Sequence, residues 1–406
     1  MATVTKSIGS AGRDYATPIL WEADLDNGGI YGAGDDAVGE MYNDSVFISA
    51  TITVDGGSVI GLNSIRLTAA SGERHTGTVG TGVRIKTTGA VSLILDFGGT
   101  VPFTLEDIEL DGDNTTCWRA VFLSVAGGVI QRCLCYGFRT TGTSIRAIIL
   151  LSTSTTAQNN FIFDCLHASG SGGYYGIRML SHTTTVNNNS IFDIDSAAGV
   201  GYGISMGSNF VNITRNNCVC NSKTADYHTT FGGAPTNSTI TNNLSSDATA
   251  WGTSAQLNKL AANQFTNIGA GTEDLHLKTG ADAIGNGVDL GGGNVAIDID
   301  LRDRDAQGDI WDIGAHQFVL GVTPTGVIYE IPISYLSNIL LEKIINLDYF
   351  ALLSLDKEVP LDWVIGLQSP SGHIIPISFD GTKITPSRSW ILEARAKDWI
   401  LVARAP

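Results

Sequence analysis

The sequence predicts an all-β protein: a parallel β-helix solenoid followed by a small repetitive β region. Three observations lead to this fold class. A pattern of about 27 residues recurs through the middle of the chain, short strands of alternating apolar residues fill each repeat, and helical periodicity is nearly absent. A unit of this length cannot bury its apolar side chains alone, so successive units are expected to stack as coils.

Two series of residues mark the repeat and step through the chain together. The first has steps of 27, 29, 27 and 27 residues and consists of Ile130, Ala157, Val186, Ile213 and Ile240. The second has steps of 27, 29 and 27 and consists of Ala120, Ala147, Gly176 and Gly203. Because two independent markers share one period, each unit is interpreted as one coil, with its strands about 4.8 Å from those of the next coil.

Four asparagines, Asn160, Asn189, Asn216 and Asn243, keep the same register as the repeat. Asparagine tolerates left-handed backbone and bonds readily to local main chain. The series is therefore interpreted as an inward turn ladder in which each amide bonds to the next coil. A sugar-binding groove is the functional alternative.

The start of the chain differs from the repeats. The stretch "DYATPILWEADL" has helical spacing through Tyr15, Leu20 and Trp21. Because the open end of a solenoid must be covered, residues 1–40 are predicted to form an N-terminal cap and residues 41–319 the β-helix.

A linker at residues 320–329 precedes a second repeat over residues 330–388. Its units begin at Ile331, Ile345 and Val359, a step of 14, and "IPISF" recurs at Ile375 after 16. Residues 389–406 hold a duplication, "WILEAR" and "WILVAR", predicted to form terminal strands. Strands are favoured throughout, with a helix over "YLSNILLEKIINLDYFALLSL" as the alternative. Each unit contains one aromatic residue of a set predicted to mediate oligomerisation or anchoring: Tyr335, Tyr349, Trp363, Phe379, Trp390 and Trp399.

Composition excludes several classes of function. The chain has 40 acidic and 24 basic residues, a net charge of −16. Nucleic acid and anionic membrane surfaces are disfavoured partners, since both need clustered Lys and Arg. We find no secretory signal at the N-terminus and no apolar run of about 18 residues, so neither export by a signal peptide nor membrane insertion is expected.

The six cysteines all lie between Cys117 and Cys220, inside apolar strand-like stretches. They are interpreted as buried free thiols, with a disulfide framework as the less favoured alternative. Two C-x-C pairs lack a histidine at ligand spacing. No metal site and no cofactor are therefore predicted.

Two carboxylates, Asp164 and Asp193, occupy equivalent positions one coil apart. In a polysaccharide-degrading enzyme they are the candidates for the acid and nucleophile of a retaining glycosidase, with His167 and Asp195 nearby in sequence. The structural alternative is a ladder of aspartates at a turn, which needs no catalysis. Two other acidic stretches, "DIELDGDNTT" and "DIDLRDRD", are interpreted as a solvated turn and a closing coil.

Together these stretches resemble right-handed parallel β-helix proteins of the pectate-lyase-like superfamily. "DLHLKTGADAIGNGVDLGG" and "DIDLRDRDAQGDIWDIGAHQF" look like the closing coils of that group. The sequence departs from the group pattern at Leu301, Asp305 and Gln317, where Gly, Pro and Glu are usual. The resemblance covers roughly residues 40–320 and implies the right-handed fold, while saying little about function.

Both ends of the chain resemble tailed-phage virion proteins: the start is similar to "G-G-D-Y-x-T-L-x-x-W", and the C-terminal units are similar to "P-h-E-W-L" and "W-T-L-x-A-R" repeats. The resemblance implies a virion-surface structural protein made in the host cytoplasm, a head fibre, head decoration or tail-associated spike. Expected partners are further copies of itself, as a homotrimer, other capsid or tail proteins, and surface polysaccharide. A polysaccharide-degrading lyase or glycoside hydrolase is the alternative function.

The predicted role of the C-terminal repeats in assembly can be tested by truncation. If they assemble the protein, light scattering will give an oligomer for the full chain and a monomer for a truncation that ends near Val322. Two well-behaved monomers would instead make the repeats an ordinary flanking domain.

Overall fold

The computed structural model describes residues 2–319, with gaps at 11, 50, 88–93, 142–145, 153, 182, 208–209, 230–237 and 308–309, and four strands beyond residue 364. The chain divides into two compact units, Met1–Phe318 and Val319–Pro406.

The first unit is a parallel β-solenoid of about seven coils, which confirms the predicted fold class. In each coil the chain passes through three parallel sheets, faces A, B and C, in that order. Face A consists of Thr3–Ile8, Asp36–Met41, Ser64–Ala69, Phe103–Glu106, Val129–Gln131, Thr156–Gln158, Thr185–Asn187, Ile213–Arg215 and Thr239–Thr241. Face B consists of Phe47–Ser49, Arg84–Thr87, Glu109–Asp111, Leu134–Tyr136, Phe161–Ser169, Ser190–Ser196, Cys218–Cys220 and Leu244–Ser245, with Arg139–Thr141 beside Phe161–Ser169. Face C consists of Ile52–Thr53, Leu95–Phe97, Val121–Leu123, Arg146–Leu151, Gly173–Met179, Val200–Met206 and Ala225–Thr229.

The core runs the length of the solenoid because strand residues alternate between the interior and the outside. On face B the inward position is taken in successive coils by Ile85, Leu110, Cys135, Ile162 and Ile191, all fully buried. All six cysteines are free and buried, as predicted. Single thiols therefore serve as small apolar side chains in this protein.

The period was predicted correctly, but two coils were misaligned by one residue. Val186 pairs with Thr214, not with Ile213, so the fully buried Thr214 takes the inward position. On face C, Val121 pairs with Ile149, which places Ala120 opposite Ile148 and not Ala147. In both cases an apolar residue, Ile213 or Ala147, directly precedes the residue that takes the inward position, so the sequence pattern does not reveal the shift.

A ladder of buried asparagines lines the corner between faces A and B. The Nδ2 of Asn160 donates to the Oδ1 of Asn189 at 2.9 Å, and Asn189 and Asn217 donate likewise to the next coil at 3.0 and 3.1 Å. Each Oδ1 also accepts a backbone N–H from the coil before it, as Asn189 does from Asn160 at 3.1 Å. The predicted ladder is therefore structural, and its third member is Asn217, not Asn216.

The residue before each ladder asparagine has left-handed backbone, and so have its counterparts at the same corner of two earlier coils. Residues other than glycine, asparagine and aspartate adopt this backbone conformation reluctantly. The φ values of these corner residues lie between 50° and 63°. The set consists of Asp107, Arg132, Asn159, Asn188, Asn216 and Asn242. The double asparagines of the sequence thus perform two tasks in turn, a left-handed bend and an inward hydrogen bond.

The N-terminal segment combines a strand with a short helix. Thr3–Ile8 pairs in parallel with Asp36–Met41, so the pairing of face A begins inside the segment expected to be a cap. The helix Pro18–Glu22 begins at Thr17, whose hydroxyl accepts from the N–H of Leu20 at 3.3 Å. Trp21 is fully buried against the first coil, whereas Leu20 is 52% exposed.

Residues 261–318, here named the flap, fold back along the outside of face B. The flap contains the helix Ala261–Gln264, an antiparallel pair formed by Phe265–Asn267 and Asp274–Leu277, and the 3-10 helix Asp305–Gln307. Neither α-helix in the described part of the chain is long and apolar enough to traverse a bilayer. The two stretches predicted to be closing coils, 274–292 and 298–318, belong to the flap. Their described residues add no strand to face A, B or C, so that expectation was wrong.

Two kinds of contact hold the flap on face B. Its apolar residues cover an outer strip of Leu134, Phe161, Phe163, Phe192 and Leu244. The left-handed corner asparagines also donate to its backbone carbonyls: Asn159 to Ile297 at 2.8 Å, Asn216 to Val288 at 2.7 Å and Asn242 to Asn286 at 2.9 Å. The corner that stacks the coils therefore also positions the flap.

In the second unit the structure describes two antiparallel strand pairs. Ile365–Gln368 pairs with Ile374–Ile377, and Ile391–Glu393 pairs with Val402–Arg404. The second pair comes from the two "WIL-x-AR" segments, so the duplicated motif forms strands that pair with each other. The six predicted oligomerisation residues, Tyr335, Tyr349, Trp363, Phe379, Trp390 and Trp399, lie outside the described residues.

The asparagine ladder makes a stability prediction. Asn189→Ala removes hydrogen bonds to Asn160, Ala157, Asn187 and Asn217. We expect the free energy of unfolding to fall by about 3 kcal/mol or more, since each buried polar group left without a partner costs about 1–3 kcal/mol. Denaturant unfolding measures the change. Asn43→Ala, at an exposed turn, is the control and is expected to change stability by less than about 0.5 kcal/mol; equal effects of the two substitutions would contradict the ladder.

Candidate functional site

The two candidate catalytic carboxylates are brought together by the fold. Phe163 pairs with Phe192 and Cys165 with Ile194, so Asp164 and Asp193 lie side by side in adjacent coils of face B. Both have left-handed backbone, with φ of 51° and 58°. Gly137 and Asn221 take the equivalent positions in the neighbouring coils with φ of 68° and 59°. The aspartates are thus members of a turn ladder that selects residues tolerant of left-handed backbone.

The surroundings of the two aspartates differ. Asp164 forms an ion pair with Arg139, whose Nη2 lies 2.7 Å from its Oδ1. Burial raises the pKa of Asp193, and the nearby carboxylates of Asp195, Asp164 and Glu273 raise it further, while Arg139 opposes them. Asp164 is thus paired with an arginine, whereas burial and neighbouring carboxylates make the charged form of Asp193 less favourable than in water.

His167 and Asp195, close in sequence, do not complete an acid–base site. The imidazole of His167 is fully buried and its Nδ1 lies 3.3 Å from the hydroxyl of Ser196. Asp195 accepts from the N–H of Ser196 at 2.6 Å. A retaining glycosidase needs two carboxyl groups flanking one scissile bond. The arrangement here favours the structural alternative, a turn ladder.

The first acidic stretch is also committed to structure. The carboxylate of Glu109 accepts from the N–H groups of Gly80 and Gly82, both at 2.8 Å, and from the hydroxyl of Tyr136 at 3.0 Å. Asp111 and Asp113 pair with Arg84 and Lys86. These carboxylates hold the loop 70–83 and the strands of face B together.

The second acidic stretch lies in the flap, where Asp298, Asp300 and His316 bring ligand-type atoms within 4.8 Å of one another. Those atoms already have partners. Asp298 accepts from the backbone N–H groups of Asp300, Arg302 and Gln317, and His316 accepts from Leu277 at 3.1 Å. A metal-bound histidine donates, not accepts, through its second ring nitrogen. We therefore assign this cluster to the packing of the flap.

Face C carries a different kind of surface, which we name the aromatic–arginine strip. The rings of Tyr175 and Tyr202 stack across adjacent coils with centroids 5.3 Å apart, and Tyr202 stacks on His228 at 3.9 Å. The guanidinium group of Arg178 lies 5.0 Å from the centre of the Tyr175 ring. The strip consists of Arg119, Phe122, Tyr175, Arg178, Tyr202 and His228.

The register of face C places these residues in outward rows. Phe122, Arg178 and His228 occupy the same outward row in different coils, and Ser205 lies between the last two. Tyr175 pairs directly with Tyr202 in the second row. The hydroxyl of Ser205 lies 3.2 Å from the Nδ1 of His228 and orients the imidazole. The flap covers face B, so this strip on face C stays accessible along its half-buried members.

The charge of the strip is the reverse of the whole chain. Among the described residues, no carboxylate lies within 4 Å of Arg119 or Arg178. Burial lowers the pKa of Arg119, and the positive charge of Arg178 lowers it further, against the attraction of Asp96. Burial and the same Arg178 lower the pKa of His228. The strip is thus a local excess of positive charge beside aromatic rings.

The sequence contained a signal for this strip that was interpreted only as a repeat marker. Tyr175 and Tyr202 precede the glycines of "YYGIRM" and "GYGISM". Their spacing of one coil predicts stacking once the register is known. The sequence pattern does not reveal that these tyrosines lie near Arg119 and Phe122. That proximity depends on how coils of unequal length stack on one another.

The environment of Asp193 makes a prediction with a defined sign. A raised pKa means that the folded chain binds the proton more tightly than the unfolded chain, so stability falls as the pH rises above about 3.9. Asp193→Asn is therefore expected to raise the melting temperature at pH 7, and to raise it less near pH 3.5. Asp164→Asn, which loses the ion pair with Arg139, is the matched control and should not stabilise. A catalytic pair would instead show lost polysaccharide cleavage in both variants.

No protein-family model and no curated protein matches this chain. One solved structure with detectable similarity is a variant of the PL6 family alginate lyase AlyGC. It is 10% identical to this chain over an alignment covering 93% of this chain and 55% of the lyase chain, with a TM-score of 0.24. The chain thus spans about half the length of that protein, and a similarity of this size assigns no role to any residue. The strand pairing itself establishes that the chain is a parallel β-solenoid.

Proposed function

We propose that this chain is a non-enzymatic structural protein of a phage virion that binds an anionic surface polysaccharide along the aromatic–arginine strip. The observation that carries the binding role is the strip: two arginines with no carboxylate within 4 Å among the described residues lie beside stacked aromatic rings on face C. The chain has a net charge of −16, so the rest of its surface repels acid groups. An anionic ligand is therefore expected to bind at this strip and not elsewhere on the surface.

The chemistry of the strip suits a glycan with carboxylate or sulfate groups. Arginine binds such groups through paired N–H donors, and its planar group also stacks on aromatic rings. Tyrosine offers an apolar ring with a polar end, as sugar recognition requires. The rows advance by one coil, about 4.8 Å, at a time, so an extended polymer lying along the axis meets basic, hydroxyl and imidazole groups in successive coils.

The non-enzymatic assignment is supported by the structural interactions that the candidate carboxylates already make. Asp164 is paired with Arg139, and Asp164 and Asp193 both belong to a left-handed turn ladder that includes Gly137 and Asn221. Glu109, Asp111 and Asp113 bind backbone or basic groups of the solenoid. The virion role rests on the resemblance of both chain ends to phage proteins and on the C-terminal repeats, whose expected role is assembly.

The alternative, a polysaccharide-degrading lyase or hydrolase, has one observation in its favour. The raised pKa of Asp193 is a property that a general acid needs. Incubation of the full chain with polygalacturonate, heparin and dextran tests it through the release of reducing ends or unsaturated products. Turnover that is abolished in Asp193→Asn would replace the structural proposal by the enzymatic one.

Binding is tested by calorimetric titration of the full chain with polygalacturonate, heparin and the neutral polymer dextran. We expect binding to the two polyanions and not to dextran, with affinity that falls as salt is added. Arg178→Gln and Arg119→Gln should each weaken binding about tenfold or more, because a charge-assisted hydrogen bond contributes about 1.5–3 kcal/mol.

Arg66→Gln is the matched control, since Arg66 is also exposed and makes the same change of charge but lies on face A, paired with Glu106. Equal losses in Arg66→Gln and Arg178→Gln would mean that binding follows net charge, not the strip. Binding to dextran as strong as to polygalacturonate would also contradict the proposal.

A further inference from the structure

Three of the seven histidines of the chain lie in the region where the flap contacts the loop 70–83 of the solenoid. His276 and His316 belong to the flap and touch edge to face, with centroids 4.9 Å apart. His75 belongs to the loop, and Gly77 in that loop leaves no room for a side chain against the ring of His276. We name His75, His276 and His316 the histidine seam.

Two members of the seam are built into the fold as neutral imidazoles. The Nδ1 of His75 accepts from the N–H of Gly77 at 3.2 Å, and the Nδ1 of His316 accepts from the N–H of Leu277 at 3.1 Å. A ring nitrogen that accepts a hydrogen bond carries no proton. Both rings are buried, at 0% and 5% exposure, so protonation must break an internal hydrogen bond and place a charge away from water.

The third member is held as a cation. The Nδ1 of His276 contacts the carboxylate of Asp274, and its Nε2 lies 3.1 Å from the Oδ1 of Asp300. Its positive charge faces His316, as does that of Arg302, whose Nη1 lies 2.8 Å from the Nε2 of His316. Arg74 adds a further positive charge beside His75. A second protonation in the seam therefore meets like charge as well as burial.

We propose that the histidine seam is an acid-sensitive latch: protonation of His75 and His316 favours release of the flap from face B. Release uncovers the outer apolar strip of Leu134, Phe161, Phe163, Phe192 and Leu244. This role goes beyond binding at the aromatic–arginine strip and does not depend on it, because face C lies outside the seam.

The electrostatics of the seam agree with this geometry. Burial lowers the pKa of His316 to about 3, and the charge of His276 lowers it further; Asp300 opposes. Burial and Arg74 lower the pKa of His75 to about 4, against the Arg132 carbonyl, Asp107 and Asp300. Since the unfolded value is about 6.5, the stabilising contribution of each ring is complete above that pH. It is lost progressively as the pH falls toward 4 and 3.

The carboxylates of the seam are bonded to His276. Burial raises the pKa values of Asp274 and Asp300, but their bonds to His276 outweigh it and leave both below the ordinary value. For His276 burial is likewise outweighed by these bonds, which raise its pKa to about 9. Its contribution is complete below about pH 6.5 and is lost as the pH rises through 9. We therefore expect the flap to be most firmly closed near pH 6.5.

Hydrogen–deuterium exchange of the full chain tests the latch. With correction for the intrinsic chemical rate, peptides containing Leu277 and Ala315 are measured from about pH 6.5 to about pH 5. We expect the equilibrium constant for local opening to increase as the pH falls. The increase should reach about tenfold per pH unit for one titrating ring, and about a hundredfold per pH unit when both rings titrate. Peptides of face A, such as residues 129–131, should not follow, which separates flap release from global unfolding.

The variants are His316→Gln and the double change His75→Gln with His316→Gln, in which glutamine retains a neutral polar group that does not titrate. The pH dependence should be reduced in the first and lost in the second. His228→Gln, a histidine on face C outside the seam, is the matched control and should leave the pH dependence of exchange in the flap unchanged. A flap opening that is independent of pH in the unmodified chain, or unaltered by the double change, would overturn the proposal.

If the double variant does not fold, the protonation state of each histidine can be measured in the unmodified chain through exchange of its imidazole C2 hydrogen. His75 and His316 should remain neutral at about pH 5, while His228 reports the behaviour of a histidine outside the seam. Titration of both seam histidines near the ordinary value of about 6.5 would overturn the latch.

Discussion

The corner between faces A and B is the feature on which the rest of the structure depends. At each coil the chain must turn sharply while its buried amide groups remain hydrogen-bonded, because an unpaired buried amide costs more than the bond contributes. Asn188 and Asn189 meet these two demands in succession: the first supplies the left-handed bend, and the second bonds inward to Asn160 and Asn217. The same pair occurs as Asn159–Asn160, Asn216–Asn217 and Asn242–Asn243, so it holds the register of four successive coils.

The same corner determines which surfaces are available for function. The outward amides of Asn159, Asn216 and Asn242 bind carbonyl groups of the flap, so the flap lies along face B and covers its apolar side chains. Face C is outside this attachment and carries the aromatic–arginine strip. A solenoid has three similar faces by construction, and the corner asparagines make them unequal: one is covered and another presents positive charge.

The histidine seam and the strip show how an acidic chain concentrates its few basic groups. Arg119 and Arg178 lie together on face C with no carboxylate of the described residues within 4 Å, whereas His276 contacts both Asp274 and Asp300. The first arrangement leaves positive charge for a ligand, and the second uses it to attach the flap. Both differ from the solvated ion pairs that dominate most protein surfaces and contribute little to stability.

The sequence by itself determined the β-solenoid, its period, the buried free thiols and the existence of an asparagine ladder, because each is a local pattern repeated in every coil. It did not distinguish Asn216 from Asn217, since adjacent asparagines satisfy one-dimensional alignment equally well. Only the tertiary structure decided that residues 261–318 form a flap and not closing coils. It also decided that Asp164 and Asp193 belong to a turn ladder, and that the aromatic rings of face C meet two arginines. These features join residues far apart in the chain, and such contacts follow from the register and packing of whole coils, which no local pattern specifies.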